Sequence, residues 1–273
     1  MKNIILPLLA AAAIQTGTAQ EVEIWAGAQR SDVVLAADNS YTETYDNGVR
    51  IVHDKSVPTL EKFTPCLPTK RDKVIIICPG GAYSGLADNI EGTEIAQWLT
   101  QQGYTAYVLR YRVPDCRDGA LQDAQRAIRL VRAANPGLKV GIMGFSAGAS
   151  LSARAATSFD RATYTAVDDT DRLSARPDFV SLIYPAYMDL GENRTLSPEL
   201  TITDKTPPFF VFQTEEDHCG NSALVITQAL RDHKIPVELH FYPDGAHGYG
   251  LRAYFAEVAS IWPQLMETWL EKQ

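Results

Sequence analysis

Residues 139–151 read KVGIMGFSAGASL, an apolar run followed by a serine between glycines and then by an Ala/Ser/Leu-rich segment. The apolar run predicts a buried β-strand, and the segment after it predicts a helix. Ser146 between Gly144 and Gly148 is typical of a tight strand-to-helix turn, in which the residues two positions away must be small. An ordinary glycine-rich turn is the alternative, but the flanking strand and helix are the context that the pattern requires. The stretch therefore predicts a nucleophilic serine in an α/β fold.

The rest of the chain repeats this alternation of short apolar runs and longer amphipathic segments, which is typical of βα units on a mostly parallel sheet. We predict strands at residues 74–78, 104–109, 140–143, 179–184, 208–212 and 237–242. We predict helices at residues 91–102, 121–134, 146–158, 222–232 and 253–269. Two earlier runs, residues 49–53 and 59–63, predict an antiparallel hairpin that leads into the sheet.

Length and charge limit the classes of protein that remain. The chain has 273 residues, with 25 Lys and Arg against 33 Asp and Glu, so its formal net charge is −8. This length suits one large α/β domain, and the acidic balance argues against binding to nucleic acid. No run of about 20 apolar residues occurs, so we expect no membrane span and no membrane partner.

The first residues have the pattern of a secretory signal peptide. Lys2 precedes an apolar stretch, and small residues precede a cut after Ala19. A buried N-terminal helix is the alternative interpretation. We therefore expect a signal peptide at residues 1–19, a single domain at residues 20–273, and a secreted or periplasmic protein.

The four cysteines do not form a metal-binding pattern. Cys66, Cys78, Cys116 and Cys219 have spacings that match no zinc signature. Export would permit disulfides, and the sequence leaves their pairing open. A phosphate-binding loop and a dinucleotide fingerprint are also missing from the sequence. We therefore expect no metal and no cofactor.

A second glycine-rich turn ends the strongest predicted strand, where residues 78–83 read CPGGAY. The glycine pair allows consecutive backbone N–H groups to face one point. Together with the amide that follows Ser146, these groups could bind the oxyanion of a tetrahedral intermediate, where each donor contributes roughly 3 kcal/mol. An ordinary tight turn is the alternative.

A nucleophilic serine needs a general base, and in folds built on this turn the acid and the histidine follow the serine along the chain. His247 lies in residues 243–250, PDGAHGYG, after the last predicted strand. Such a loop would allow an imidazole to reach Ser146. His218 is the alternative base.

The acid is expected where residues 208–217 run from a buried strand into three consecutive carboxylates. Only one of them should orient the imidazole of His247. Asp217, the last of the three, is our prediction. Glu216 is the main alternative and Glu215 a weaker one.

These segments, taken in order, resemble the α/β-hydrolase superfamily, and more narrowly secreted bacterial esterases of the acetyl-xylan-esterase and feruloyl-esterase type. The resemblance runs from about Val49 to Leu270 and rests on CPGGAY (78–83), EGTEIAQWL (91–99), LRYRVP (109–114), LQDAQRAIRLVR (121–132), GFSAGASL (144–151), RPDFVSLIYP (176–185), QTEED (213–217) and YPDGAHGYGL (242–251). It implies an α/β-hydrolase fold, with a mostly parallel central sheet of about eight strands flanked by helices and no large lid domain.

The resemblance also implies roles for single residues. The implied residues are Ser146 as nucleophile, Asp217 as acid, His247 as base, and Gly81, Ala82 and Ala147 as donors of the oxyanion hole. The stretch after the acid, residues 218–222, departs from the family pattern, and so do two positions of the CPGGAY turn. Ala82 replaces a glycine that is common in the related turn, and Pro79 stands where many esterases have histidine. A backbone donor survives either change, so the difference concerns the shape of the pocket.

The activity that the resemblance implies is that of a serine carboxylesterase that removes short acyl groups, above all acetyl, from xylan or a similar polysaccharide. Its partner would be an acylated polysaccharide or oligosaccharide. Tyr83 and Tyr184 are candidate aromatic contacts for the sugar, as are Tyr187 and Trp98. A feruloyl or other aroyl esterase, a peptidase with the same three residues, and a binding protein with an inactive triad are the alternatives.

Overall fold

An eight-stranded sheet and a smaller three-stranded sheet carry the fold. The computed structural model describes residues 20–26, 40–66 and 71–273, so the expected signal peptide at 1–19 lies outside the described residues. The strands in these ranges are β1 (Gln20–Glu23), β2 (Thr42–Asp46), β3 (Val49–His53), β4 (Thr59–Phe63), β5 (Lys73–Cys78), β6 (Leu86–Ala87), β7 (Thr105–Arg110), β8 (Lys139–Phe145), β9 (Phe179–Ile183), β10 (Phe209–Thr214) and β11 (Val237–Tyr242). The α-helices are α1 (Glu94–Gln101), α2 (Arg117–Ala134), α3 (Ala147–Thr157), α4 (Gly220–Asp232) and α5 (Trp262–Leu270).

The large sheet has the strand order β1-β4-β7-β5-β8-β9-β10-β11. Strands β1 and β4 are antiparallel to their neighbours, and the other six strands are parallel. No large lid domain covers the sheet in the described ranges. The expected fold class, α/β with a mostly parallel sheet of about eight strands, is confirmed. None of the helices within these ranges has the length and apolar character needed to cross a membrane.

The register of the sheet brings the segments singled out by the sequence to one edge. Cys78 at the end of β5 pairs with Gly144 of β8, so the CPGGAY turn and the serine turn leave the sheet side by side. Thr214 at the end of β10 pairs with Tyr242 at the end of β11, which places the acidic segment beside the histidine loop. Ligands of such sheets bind at the carboxyl ends of the strands.

The core has two layers because the side chains of each central strand alternate between the two faces of the sheet. In β5, Val74, Ile76 and Cys78 pack in one hydrophobic cluster, whereas Ile75 and Ile77 pack in the other. Helices α2, α3 and α4 contribute to the first cluster, and α1 and α5 contribute to the second. Every residue of β5 is buried, as expected of a strand covered on both faces.

The predicted N-terminal hairpin is wrong. Residues 49–53 form β3, which pairs with β2 and β6 in the three-stranded sheet, whereas residues 59–63 form β4, which pairs with β1 and β7 in the large sheet. Both runs are strands, as predicted, but the alternation of side chains identifies a strand without identifying its partner.

Two of the predicted helices begin with turns that are not α-helical. The helix predicted at 91–102 begins with a π-helical turn over Asn89–Thr93 before α1. The helix predicted at 253–269 is only partly helical, because a 3-10 turn at Glu257–Ser260 precedes α5, which has a proline in its first turn. Amphipathic spacing does not distinguish an α-helix from these tighter or wider turns.

The turn between β8 and α3 depends on its two glycines. A Cβ atom on Gly144 would lie 2.1 Å from the carbonyl oxygen of Gly148, and one on Gly148 would lie 2.0 Å from the carbonyl oxygen of Cys78. Both contacts are with backbone, which cannot rotate away. The glycines therefore allow β5, β8 and α3 to meet closely enough to form the turn at Ser146.

We expect Gly148→Ala to lower the free energy of unfolding by about 3 kcal/mol, since the added methyl group forces backbone apart. Chemical denaturation measures the change. Gly220→Ala is the matched control, because its Cβ atom would meet its nearest neighbour at 3.2 Å. Equal denaturation midpoints for the two variants would contradict the packing argument.

Candidate active site

Ser146, His247 and Asp217 form one hydrogen-bonded chain at the carboxyl edge of the sheet. The Oγ atom of Ser146 lies 2.6 Å from Nε2 of His247, and Nδ1 of His247 lies 2.6 Å from Oδ2 of Asp217. A carboxylate can only accept, so Nδ1 donates to Asp217 and Nε2 is left to accept from the serine hydroxyl. This arrangement can transfer the hydroxyl proton of Ser146 to the imidazole.

Of the three carboxylates at 215–217, Asp217 alone contacts His247. Its side chain is fully buried, and its second oxygen accepts a hydrogen bond from the backbone N–H of Cys219 at 2.8 Å. Glu215 and Glu216 are exposed. Glu216 instead accepts a hydrogen bond from the backbone N–H of Gly245 at 3.0 Å, so it holds the loop that leads to His247.

The side chains of His218 and Cys219 border the site but make no hydrogen bond to Ser146 or His247, although Nδ1 of His218 lies 3.5 Å from Oδ1 of Asp217. The side chain of His218 is 79% exposed, and its ring centroid lies 5.2 Å from that of His247. Burial, together with the charge of Asp217, raises the pKa of the Cys219 thiol to about 11, so Cys219 remains a neutral thiol near pH 7. Cys78, Cys116 and Cys219 form no disulfide.

The geometry of this cluster suits hydrogen bonding better than metal binding. Asp217, Cys219 and His247 offer ligand atoms within 4.8 Å of one another. The 2.6 Å contact between Asp217 and His247 is a short hydrogen bond, whereas two ligands of one tetrahedral zinc ion lie about 3.3 Å apart.

The CPGGAY turn borders the same site. Gly81, Ala82 and Tyr83 have φ angles of +126°, +57° and +58°, so three consecutive residues adopt the left-handed region. Gly81 and Ala82 line the cavity that contains Ser146. The amides of Gly81, Ala82 and Ala147 donate to no acceptor within the described ranges. Ala147 is also the first residue of α3, whose N-terminus favours negative charge.

The cavity around Ser146 has a volume of about 630 Å³. The small sheet supplies an apolar wall through Val49, Ile51 and Ala87, and Tyr187 provides an aromatic side chain. The cavity is therefore partly lined by β3, one of the two strands that the sequence analysis placed in a hairpin.

Two of the expected substrate contacts, Tyr83 and Tyr184, are buried away from the cavity. Tyr83 is 3% exposed and Tyr184 is 0% exposed, and neither lines the cavity. The ring of Tyr184 packs against His247 with centroids 5.1 Å apart, and its hydroxyl donates to Glu91. Tyr187, which the sequence also suggested, does line the cavity. Position at a strand end does not reveal whether an aromatic ring points into a cavity or under it.

We expect Asp217→Asn to lower kcat about 10⁴-fold, because an amide at this position favours the wrong tautomer of His247. Steady-state kinetics on a short acyl ester measures the effect. Glu216→Gln is the matched control and should retain most of the activity, because Glu216 contacts a backbone amide and not the imidazole. The reverse pattern would assign the acid to Glu216.

Known proteins are similar to this chain in sequence and fold. The family model for dienelactone hydrolase matches residues 107–259. An endo-1,4-β-xylanase B from Butyrivibrio fibrisolvens is 33% identical over 223 residues, which cover 70% of this chain and 34% of that protein. An acetylxylan esterase from Xylanibacter ruminicola is 29% identical over 225 residues, which cover 71% of this chain and 44% of that protein. The chain therefore spans less than half the length of these two curated relatives.

A solved structure matches over a larger share of its length. The acetyl ester-xyloside bifunctional hydrolase from Caldicellulosiruptor lactoaceticus is 33% identical, with a TM-score of 0.69 over 79% of this chain and 88% of that chain. The resemblance stated from the sequence segments is confirmed by these matches. The chain belongs to the dienelactone hydrolase family, within the α/β-hydrolase superfamily.

Proposed function

We propose that this chain is a serine carboxylesterase that removes short acyl groups, above all acetyl, from a plant cell-wall polysaccharide such as xylan. The observation that carries the proposal is the hydrogen-bonded chain of Ser146, His247 and Asp217, whose serine and histidine line a cavity together with Gly81 and Ala82. The names of the relatives, an acetylxylan esterase and an acetyl ester-xyloside hydrolase, support the choice of substrate.

In the proposed reaction, His247 accepts the proton of Ser146 while the serine oxygen attacks the ester carbonyl. The amides of the CPGGAY turn at residues 78–83, which we call the oxyanion turn, and the amide of Ala147 stabilise the negative charge of the tetrahedral intermediate. His247 then donates its proton to the departing alcohol, and Asp217 stabilises the imidazolium that forms in between. Water attacks the acyl-enzyme with His247 again as the base, which releases the acid and restores Ser146.

The site offers room for the alcohol half of the ester next to His247. A second cavity of about 380 Å³ shares Val49, Ile51 and His247 with the first, but Ser146 does not line it. The leaving alcohol must lie near the imidazole that protonates it. Asp46 and Phe255 line this second cavity and provide a hydrogen-bonding group and an aromatic face, which together suit a sugar.

Ester hydrolysis fits the site better than glycoside hydrolysis, although one relative is named a xylanase. Glycoside hydrolases place two carboxyl groups about 5–9.5 Å apart around the scissile bond. Among the described residues that line the cavity around Ser146, Glu91 is the one carboxylate. Both of its oxygens already accept hydrogen bonds from the protein. An exported protein, as residues 1–19 predict, would meet its polysaccharide outside the cell.

Release of acetate from acetylated xylan tests the proposal. We expect the wild-type protein to release acetate and Ser146→Ala to release none above background. Methyl ferulate and a peptide amide, assayed in parallel, address the two alternative activities of the same triad. If either of these substrates is turned over faster than acetylated xylan, it replaces the acetyl ester as the preferred substrate. If the wild-type protein hydrolyses no short acyl ester at all, the esterase proposal is overturned.

We expect Phe255→Ala to raise KM for an acetylated xylo-oligosaccharide about threefold to tenfold, because an aromatic contact contributes about 0.5–1.5 kcal/mol. The kcat/KM for 4-nitrophenyl acetate should not change, since its leaving group is small. Tyr45→Ala is the control, because Tyr45 is 68% exposed and lines neither cavity. An equal loss with both substrates would contradict a sugar contact at Phe255.

A further inference from the structure

Glu91 lies buried between the two loops on which the proposed reaction depends. Its Oε2 atom accepts a hydrogen bond from the backbone N–H of Gly80 at 2.7 Å, and its Oε1 atom accepts one from the hydroxyl of Tyr184 at 2.8 Å. The hydroxyl oxygen of Tyr184 in turn accepts from the backbone N–H of Gly250 at 3.0 Å. These contacts form a continuous bridge from the oxyanion turn to the loop of His247, which we call the Glu91–Tyr184 bridge.

The backbone on both sides is shaped to let this bridge form. Glu91 lies in the π-helical turn Asn89–Thr93, a kind of turn that occurs frequently at functional sites. A Cβ atom on Gly80 would lie 2.6 Å from Oε2 of Glu91, and one on Gly250 would lie 2.5 Å from the carbonyl oxygen of Ile90. Glycine at both ends therefore allows one loop to approach the carboxylate of Glu91 and the other to approach the backbone beside it, at Ile90.

The bridge also requires the burial of a carboxyl group, which has an electrostatic cost. Glu91 is 3% exposed, and desolvation raises the pKa of its carboxyl group, whereas the hydrogen bonds from Tyr184 and Gly80 lower it. A buried carboxyl group of this kind is costly unless it is hydrogen-bonded, and here both oxygens have a donor. The ring of Tyr184 packs edge-on against His247. The bridge thus supports the imidazole through a ring contact and through the backbone at Gly250.

We propose that Glu91 and Tyr184 are positioning residues that hold the oxyanion turn and the His247 loop at the separation that acyl transfer requires. This inference rests on the proposed esterase function and adds to it a role for a carboxyl group outside the triad. Misplacement of reacting groups by about 1 Å can lower a rate about 100-fold. A bridge that joins both loops to one side chain limits such misplacement.

Glu91→Gln and Tyr184→Phe test the bridge from its two sides. Glutamine keeps one oxygen as an acceptor and has an NH₂ group, which only donates, in place of the other oxygen. Its side chain therefore cannot accept hydrogen bonds from both Gly80 and Tyr184. Phenylalanine keeps the ring and removes the hydroxyl. We expect each variant to lower kcat for 4-nitrophenyl acetate up to about 100-fold, with KM little changed. The affinity for a boronic acid that forms a tetrahedral adduct with Ser146 should fall by the same factor.

The matched control is Tyr249→Phe. The ring of Tyr249 packs against Tyr184 with centroids 4.6 Å apart, and its buried hydroxyl has no hydrogen-bond partner within the described ranges. Its removal should therefore leave kcat unchanged. The double variant Glu91→Gln/Tyr184→Phe should lose about as much activity as the more impaired single variant, because both changes break one bridge.

The kcat values are to be normalised to active sites counted with a fluorophosphonate, and Tm is to be measured for every variant. A loss in Tm with unchanged normalised kcat, or losses that multiply in the double variant, would overturn the positioning role. If one of the two single variants fails to fold, the normalised kcat of the other variant still tests the positioning role. A wild type without ester turnover would instead refute the proposed function. The rate of fluorophosphonate labelling at Ser146 would then replace kcat, and equal rates in wild type and variants would overturn the bridge.

Discussion

The left-handed backbone of Ser146 is the constraint on which the rest of the site depends. Its φ of +50° and ψ of −117° lie in a sparsely populated region, which costs on the order of 1–3 kcal/mol. The fold maintains this conformation because Gly144 and Gly148 allow direct backbone contacts. Hydrogen bonds from Ser146 N–H to the Ile183 carbonyl and from Ala186 N–H to the Ser146 carbonyl, both 3.2 Å, tie the turn to β9 and its following loop.

Two buried carboxyl groups connect the loops around this turn. Asp217 accepts from His247 and from the backbone of Cys219, and Glu91 accepts from Gly80 and Tyr184. Each has two donors, which compensates for the cost of removing a carboxylate from water. Hydrogen bonds of this kind are stronger than neutral ones and set direction as well as distance. The loops of the site are thereby held together by side chains that lie beneath its surface.

The candidate site residues that the sequence could predict are those that lie in a short, recognisable sequence motif. Ser146 lies in a short motif whose chemistry depends on its immediate neighbours, and His247 lies in a glycine-rich loop after a strand. Asp217 was predicted as the acid, but Glu216 and Glu215 stayed open as alternatives, because burial distinguishes the three carboxylates and burial depends on the packing of β10. The sequence gives a weaker indication of Glu91. Its spacing of four and eight residues from Ile95 and Leu99 places a charged side chain on the apolar face of the predicted helix.

The amino-acid sequence by itself determined the α/β class, the six parallel strands, the serine turn and the order of the candidate triad, because periodicity and glycine patterns act over a few residues. The tertiary structure decided which strands pair, and so moved residues 49–53 into a separate sheet that lines the cavity. It also decided that Tyr184 lies beneath His247 rather than in the cavity. Those outcomes depend on contacts between residues far apart in the chain, and local periodicity carries no information about them.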